Sequence, residues 1–138
     1  MSLSAEQRKE LIETAAHVRR WAYAPYSNYV VGAALLTESG KIYDGINIEN
    51  AAYPDGTCAE RVAIFKAVSE GERKFDTIAI VTDNGGFPCG SCRQVMAEFG
   101  KNALVLIANL EGELLAEYTV AQLLPDAFGE DDLEEPRK

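Results

Sequence analysis

All three cysteines of the chain lie in two short motifs that also carry ionisable side chains. The motifs read Thr-Cys-Ala-Glu-Arg from position 57 and Pro-Cys-Gly-Ser-Cys-Arg-Gln from position 88. Thiolates are good zinc ligands, and zinc has four protein ligands in structural sites but three in catalytic sites, where water takes the fourth position. Because Cys58, Cys89 and Cys92 provide only three thiols, the sequence predicts a zinc site with one open position. Glu60 would place a base beside it.

Parts of this pattern have simpler interpretations. A Cys-x-x-Cys pair also occurs in redox proteins and as one half of a structural zinc site. A zinc module that only contacts other proteins is a further alternative, although it would need no Glu60 and would usually close the fourth coordination position. Cys58 favours the catalytic interpretation, because a redox pair has no use for a distant third thiol. The single histidine, His17, lies far from both motifs, and we expect a surface or packing role for it.

The elements that must bring these motifs together follow from apolar periodicity and turn signals. Ser4 and Gln7 match a capping box before a first helix that continues to Ala22. The apolar or alternating runs at 29–37 and 41–47 predict a β-hairpin. The other predicted elements are a helix over 58–70, a strand over 77–82, a helix over 89–99, strands over 104–108 and 114–119, and a short helix near 121–124.

The order of these elements indicates the fold. Strands that alternate with helices favour parallel pairing, with the first hairpin antiparallel to it. We therefore expect the α/β class, as a three-layer α/β/α sandwich on a mixed five-stranded sheet. In the second helix Val62, Phe65 and Val68 are expected to face the core, and Gly71 to end the helix. With 138 residues, of which 47% are hydrophobic, we expect a single domain over 1–128 and an acidic, flexible C-terminal tail over 129–138.

In this arrangement Cys58 begins the second helix, while Cys89 and Cys92 begin the third. The N–H groups and the dipole at a helix N-terminus lower the pKa of a thiol and favour the thiolate. Three thiolates and one Zn²⁺ leave a charge of −1, which opposes the ionisation of bound water. Arg61 and Arg93, which adjoin the ligands, are expected to draw this charge back.

Charge and composition limit the partners and the compartment. The formal net charge is −9, whereas proteins that bind DNA or RNA gain much of their affinity from Lys and Arg at phosphates. The chain has no run of about 18 apolar residues, and its N-terminus is charged and unlike a signal peptide. Free cysteines in an odd number favour a reducing compartment. We expect a cytoplasmic protein that acts on a small neutral substrate and binds neither nucleic acid nor membranes.

The motifs resemble those of the small, three-cysteine, zinc-dependent cytidine deaminases that act on free nucleosides. The resemblance runs from Ala-Pro-Tyr-Ser at 24–27 to Leu-Leu-Pro-Asp-Ala-Phe at 123–128. It implies hydrolytic deamination of cytidine and deoxycytidine to uridine and deoxyuridine plus ammonia, a reaction of pyrimidine salvage. It also implies one zinc per subunit and a homotetramer with shared active sites. Glu60 would take a proton from water, pass it to N3 of the pyrimidine, and bring a second proton to the departing amine.

Asn47 and Glu49 are the expected sugar-binding pair. They are two residues apart at a strand end, so their side chains face the same way, while Ile46 and Ile48 face the core. The resemblance assigns the pair to the ribose, with the carboxylate accepting from the 3′-hydroxyl. Polar residues that only cap a strand end are the alternative.

Aromatic side chains complete the pocket that the resemblance implies. Tyr29 stands where relatives usually have Phe, and its ring would pack against the base and the sugar. Phe128 corresponds to an aromatic residue that reaches the active site of a neighbouring subunit, and Tyr53 to an interface residue near it. The resemblance also assigns Ala59 to substrate binding. Plain core packing is the alternative for each aromatic ring.

Three more positions adjoin the ligands. In the family, an Arg at the position of Arg61 hydrogen-bonds the ligand sulfurs, and Gln94 matches a position that supports the site. Phe87 departs from the family, where Ser usually precedes Pro-Cys-Gly. We expect this change to alter local packing or rate and not the class of reaction.

Two rival enzymes share these motifs in part. A deaminase for blasticidin-type nucleoside antibiotics would lack the pair of Asn47 and Glu49. A deaminase that edits nucleic acids would need a basic path to the flipped base, which the acidic composition disfavours.

Overall fold

The computed structural model describes residues 3–134, which contain five strands and five α-helices. In chain order these are α1 (Ala5–Val18), β1 (Gly32–Thr37), β2 (Ile42–Ile46), α2 (Ala59–Ser69), β3 (Phe75–Val81), α3 (Gly90–Gly100), β4 (Leu104–Ala108), β5 (Leu114–Thr119), α4 (Val120–Leu123) and α5 (Asp131–Glu134). Two 3₁₀ turns, Arg19–Trp21 and Tyr53–Asp55, lie in the connections. The last residues of the predicted tail, 135–138, are outside the described part.

The strands of this described part form one mixed sheet in the order β2-β1-β3-β4-β5. β1 pairs antiparallel with both β2 and β3, so these two strands run in the same direction on either side of it. β3 and β4 are parallel, and β5 is antiparallel to β4 at the edge. The predicted mixed five-stranded sheet is confirmed.

Helices cover both faces of the sheet. On one face α1 buries Leu11 and Ala15 against Ala79 and its neighbours. On the other face Ile64 of α2 and Met96 of α3 belong to a larger buried cluster with strand residues of β1, β3 and β4. These layers confirm the predicted α/β/α sandwich. No helix between residues 3 and 134 combines the length and the apolar character that crossing a membrane requires.

The first helix has the predicted start but an earlier end. The Gln7 N–H donates to Ser4 Oγ at 3.1 Å, and the Ser4 N–H donates to Gln7 Oε1 at 3.0 Å, which completes the capping box. The α-helix ends at Val18, and a 3₁₀ turn closed by the Ala22 N–H on the Arg19 carbonyl follows it. The chain then leaves the helix axis, because Tyr23 pairs its backbone with Asn47 beyond β2.

The face that the second helix buries matches the predicted one only in part, because Val68 packs against the core and Phe65 does not. Phe65 is 47% exposed, whereas Ala63, Ile64 and Ala67 are buried. The helix lies so close to β2 that a Cβ atom on Gly45 would be 2.3 Å from the Ala59 carbonyl oxygen. At this distance the contact face has room for alanine but little for larger side chains, so the prediction of an inward Phe65 was wrong.

Candidate functional site

The three cysteines meet where two helices begin. Cys58 is the N-cap of α2 and Cys89 the N-cap of α3, while Cys92 lies in the first turn of α3. The Sγ atoms of Cys89 and Cys92 are 3.5 Å apart, and those of Cys58 and Cys89 are 3.9 Å apart. All three sulfurs lie within 4.8 Å of one another, as a group able to hold a metal ion.

These distances fit a tetrahedral zinc. Two sulfurs that each lie about 2.3 Å from Zn²⁺ at the tetrahedral angle are about 3.8 Å apart. Cys92 is buried, Cys58 is partly buried and Cys89 is exposed, so the group is open on one side. The donor set and its geometry therefore fit one zinc ion with room for a fourth, non-protein ligand.

The surroundings favour thiolates at this position. A hydrogen bond from Cys92 and the adjacent Arg61 guanidinium lower the pKa of Cys58 to about 5, although burial acts in the opposite direction. The same hydrogen bond and burial raise the pKa of the Cys92 thiol. Cys58 is thus the first of this pair to ionise in the metal-free protein, and a bound cation would favour ionisation of the others.

Arg61 compensates the negative charge of the sulfurs. Its Nη2 donates to Cys58 Sγ at 3.4 Å, and contact with the thiolates raises the pKa of the guanidinium. The buried Nε–H has no hydrogen-bond partner among the described residues. Buried donors normally have a partner, so this N–H remains available to an acceptor.

Glu60 is the buried acid of the site. Only 5% of the residue is exposed, in the first turn of α2. Burial raises the pKa of Glu60 to about 7, and the charge of Cys58 adds to the effect. A carboxyl group with a pKa near neutrality can both accept and donate a proton at physiological pH.

The family model for the cytidine and deoxycytidylate deaminase zinc-binding region matches residues 5–108. The chain belongs to this deaminase family. It is 52% identical over 128 residues to a cytidine deaminase of Sporosarcina psychrophila, covering 91% of this chain and 93% of the relative. It is 49% identical over 129 residues to a cytidine deaminase of Halalkalibacterium halodurans, covering 91% and 97%. A crystal structure of cytidine deaminase from Burkholderia pseudomallei superposes with a TM-score of 0.83 at 45% identity, covering 91% of this chain and 100% of that one.

Asn47, one of the two expected sugar-binding residues of this deaminase, uses its side chain to hold the backbone. Its Oδ1 accepts from the Val31 N–H at 2.9 Å, and its Nδ2 donates to the Tyr29 carbonyl at 2.7 Å. These bonds join the segment before β1 to the end of β2. Ile48 is 43% exposed and lies in isolated bridges beyond β2, so its predicted place in the core was wrong.

Glu49, the second residue of the pair, presents a carboxylate held by hydrogen bonds. Its Oε1 accepts from the N–H groups of Tyr26 at 2.9 Å and Ser27 at 3.1 Å, and its Oε2 accepts from the Ser27 hydroxyl. The hydrogen bond from Ser27 and those from the backbone lower the pKa of Glu49, so the carboxylate is charged at neutral pH. It borders a cavity of about 290 Å³ that is also lined by Asn50, Tyr53 and other residues of this segment.

The other residues expected to bind substrate lie at different depths. Ala59 is fully buried at the start of α2, whereas Tyr29, Tyr53 and Phe128 are exposed. The Tyr53 ring lies 6.0 Å from that of Tyr26, beside the cavity at Glu49. The contacts of these residues with substrate stay predictions.

Arg93 and Gln94 hold chain segments together through hydrogen bonds to backbone carbonyls. Arg93 donates from Nε to the Pro88 carbonyl at 2.8 Å and from Nη1 to the Leu123 carbonyl at 2.9 Å. Gln94 Nε2 donates to the Phe128 carbonyl at 2.9 Å. Both side chains thus connect α3 to the C-terminal segment that carries Phe128.

Sequence reasoning missed Arg19 and Asn84. The Arg19 guanidinium is largely buried, donates to the Val30 carbonyl at 3.2 Å and pairs with Asp83 at 3.0 Å. Asn84 accepts from the Tyr29 hydroxyl at 2.8 Å. The Asn-Gly pair at 84–85 is a turn signal that could have drawn attention to this loop. No local signal connects either residue to its distant partner.

Proposed function

We propose that this protein is a zinc-dependent cytidine deaminase that converts cytidine and deoxycytidine to uridine and deoxyuridine plus ammonia, in pyrimidine salvage. The observation that carries the proposal is the convergence of three thiols at two helix N-termini with the buried Glu60 beside them. Three protein ligands, an open position and a neighbouring acid are the parts of a hydrolytic zinc site and not of a structural one.

Cys58, Cys89 and Cys92 would hold the zinc ion, which would supply Lewis acidity and make the attacking water easier to deprotonate. Glu60 then transfers the protons. Its carboxylate accepts a proton from the attacking water and delivers it to N3 of the pyrimidine while the water oxygen bonds to C4. It then takes the proton of the new C4 hydroxyl and carries it to the amine, so the C4–N bond breaks, ammonia leaves and the C4 carbonyl of the product forms. The pKa of about 7 suits both directions of transfer. Arg61 limits the accumulation of negative charge at the sulfurs.

The strand end beyond β2 offers the groups that a ribose needs. The Glu49 carboxylate is charged and fixed by three hydrogen bonds from Tyr26 and Ser27, and it borders a cavity. A carboxylate that is already oriented loses little conformational freedom when it accepts from a sugar hydroxyl. We assign Glu49 to the 3′-hydroxyl, with Asn47 at the same strand end and the rings of Tyr29 and Tyr53 towards the nucleoside.

The assembly belongs to the same proposal. We infer a homotetramer with shared active sites, in which Phe128 of one subunit reaches the site of another. The high exposure of Tyr53 and Phe128, 75% and 58%, supports this assembly, because soluble monomers seldom leave extended aromatic surface uncovered. We also place the protein in the cytoplasm, where a reducing environment keeps unpaired thiols available for zinc.

The decisive experiment follows the loss of cytidine absorbance in the ultraviolet with the wild type and Glu60→Gln, with the zinc content of both determined. We expect turnover by the wild type only and full zinc in both. Turnover by Glu60→Gln at the wild-type rate would exclude Glu60 as the proton carrier. An inactive wild type with full zinc would exclude cytidine, and blasticidin S is then the next substrate to assay.

A further inference from the structure

The connection from β3 to the ligand Cys89 is held by hydrogen bonds that the deamination chemistry does not use. We define residues 82–88 as the ligand loop. Inside it, the Gly86 N–H donates to Thr82 Oγ1 at 2.9 Å, and Thr82 Oγ1 donates to Asn84 Oδ1 at 3.4 Å. Asn84 Oδ1 also accepts from the Tyr29 hydroxyl at 2.8 Å. Tyr29 lies 55 positions earlier in the chain, so this last bond fixes the loop to another part of the fold.

Tyr29 is itself fixed by the residues at the sugar-binding end of β2. Its carbonyl accepts from Asn47 Nδ2 at 2.7 Å, and its N–H donates to Ser27 Oγ at 3.0 Å. Ser27 in turn donates its hydroxyl to the Glu49 carboxylate. A continuous set of hydrogen bonds therefore runs from Asn47 and Glu49 through Tyr29 to the ligand loop.

Gly86 packs directly on the hydroxyl group. A Cβ atom at Gly86 would lie 2.3 Å from the Tyr29 hydroxyl oxygen, well below a possible contact, but 3.6 Å from the Tyr29 Cζ, an ordinary one. The loop thus has a space shaped to the phenolic oxygen, and only that oxygen obstructs a methyl group at position 86. The two residues form a matched pair.

We propose that the Tyr29 hydroxyl and Asn84 are positioning residues that fix the ligand loop, and with it Cys89, relative to the strand end that carries Asn47 and Glu49. The proposal rests on the proposed function for its kinetic consequences, but its structural consequences do not depend on the substrate. The hydroxyl acts through Asn84 and the loop, and the ring retains its separate role towards the nucleoside.

The first test removes each partner. Tyr29→Phe keeps the ring, and Asn84→Ala removes the acceptor. We expect each to lower kcat for cytidine about fivefold, the range for one lost hydrogen bond, with KM changed less than twofold. The double variant should be no slower than either single variant, because both remove the same interaction. Asn84→Asp, which keeps an acceptor oxygen, should restore most of the rate.

Tyr43→Phe is the matched control. The Tyr43 hydroxyl donates to Glu72 at 3.4 Å near the hairpin turn, at the other end of β2. Its loss should leave kcat and KM unchanged. Wild-type kcat in both Tyr29→Phe and Asn84→Ala, or a double variant whose loss is the product of the two single losses, would overturn the proposal.

The second test uses the matched pair of Tyr29 and Gly86. Gly86→Ala alone should displace the hydroxyl and lower kcat at least as much as Tyr29→Phe. In the Tyr29→Phe background the same methyl group has room, so Gly86→Ala should cause little further loss. The urea midpoint of the zinc-free protein should follow the same pattern. Equal effects of Gly86→Ala in both backgrounds would contradict the proposed contact.

A metal spectrum separates this proposal from the proposed function. Co²⁺ is loaded in place of zinc, and the thiolate charge-transfer absorption is compared among wild type, Tyr29→Phe, Asn84→Ala and Tyr43→Phe. We expect a shifted band in the first two variants and a wild-type band in the control, whether or not cytidine is turned over. A wild-type spectrum in all three variants would show that the pair does not position Cys89.

Discussion

At the scale of single residues, the site combines a buried acid with an arginine beside a thiolate. Glu60 is held where its ionisation is unfavourable, because burial raises its pKa from 4.5 to about 7. The protein thereby gives up stability at neutral pH in order to keep a carboxyl group that can exchange protons there.

This cost gives a prediction for the zinc-free protein. The folded-state pKa of Glu60 lies above the unfolded one, so its contribution to stability is complete below about pH 4.5 and is lost as the pH rises through about 7. Glu60→Gln removes this loss of stability, because the amide side chain does not ionise. We expect the variant to gain up to about 3 kcal/mol of unfolding free energy over wild type at pH 8, and almost none at pH 4.5. Urea unfolding under reducing conditions measures the difference.

The pKa of Cys58 is shifted in the opposite direction to that of Glu60. The pH dependence of stability is therefore compared between wild type and Glu60→Gln, and not read from one protein alone. Its pKa is lowered to about 5, so its contribution to stability is lost as the pH falls through that value. The contribution is present in both proteins and largely cancels in the difference. A stability difference between wild type and Glu60→Gln that is the same at both pH values would contradict the buried position of the carboxylate.

Arg61 gives a second prediction at this scale. Its Nη2 contacts Cys58 Sγ, and its removal would leave the thiolates with less compensation. Arg61→Gln should lower zinc affinity or kcat by about 10- to 100-fold, the usual effect of losing a group that supports a metal ligand. Chelator competition and steady-state kinetics measure the two quantities. Arg20→Gln, on the outer surface beside His17, is the control and should match wild type.

At the scale of elements, the site depends on how closely α2 approaches the sheet. Gly45→Ala would place a Cβ atom 2.3 Å from the Ala59 carbonyl oxygen and 2.5 Å from the Ala63 N. Both are backbone atoms, so the helix itself must shift, and Cys58 and Glu60 shift with it. We expect a loss of about 3 kcal/mol in unfolding free energy and weaker zinc binding, measured by urea unfolding and chelator competition.

Gly129→Ala is the matched control for that substitution. A Cβ atom there meets nothing within 4 Å, so stability and zinc affinity should stay at wild-type values. If Gly45→Ala were equally harmless, α2 could not lie as close to β2 as the structure has it.

The elements were largely predictable from the sequence because each carries a local signal. The strands Leu104–Ala108 and Leu114–Thr119 have the predicted bounds, and the capping box at Ser4 starts α1 as expected. The two motifs with cysteine also indicated their places at helix starts, since Cys58 and Cys89 precede the first helical residues. Short-range patterns decide such features, and one sequence contains them in full.

The features that were missed depend on contacts between distant segments. Phe65 is apolar and correctly spaced for an inward position, but close packing at Gly45 selects the alanine face of α2 instead. Asn84 is an ordinary turn residue until Tyr29 lies beside it. Such contacts depend on the tertiary arrangement, which local periodicity does not determine.

At the scale of the whole molecule, the described surface carries several exposed aromatic side chains. Trp21 is 68% exposed, and Tyr53 and Phe128 are also exposed. The net charge of −9 opposes indiscriminate association of such surfaces. We therefore expect a defined homotetramer, four times the 15.0 kDa of the chain, which sedimentation equilibrium measures. A monomer at all concentrations would contradict the assembly.

Shared active sites make a sharper prediction, because two inactive subunits should then restore each other. Glu60→Gln lacks the proton carrier but still provides Phe128, and Phe128→Ala lacks the ring but keeps Glu60. Each variant alone should be at least about tenfold less active than wild type. Mixed oligomers, co-expressed in equal amounts and purified through a tag on each variant, should recover about a quarter of wild-type activity, because one site in four combines both intact groups.

The separate proteins, mixed without exchange of subunits, provide the control and should show only the mean of their two activities. Co-expressed oligomers that give the same mean would show that each subunit completes its own site. Phe128 would then act within its own chain, near the Gln94 side chain that bonds its carbonyl. If activity recovers in the mixed oligomers but not in the mixture of separate proteins, a ring from one subunit and a carboxylate from another must meet in one site. Assembly is then a condition of catalysis.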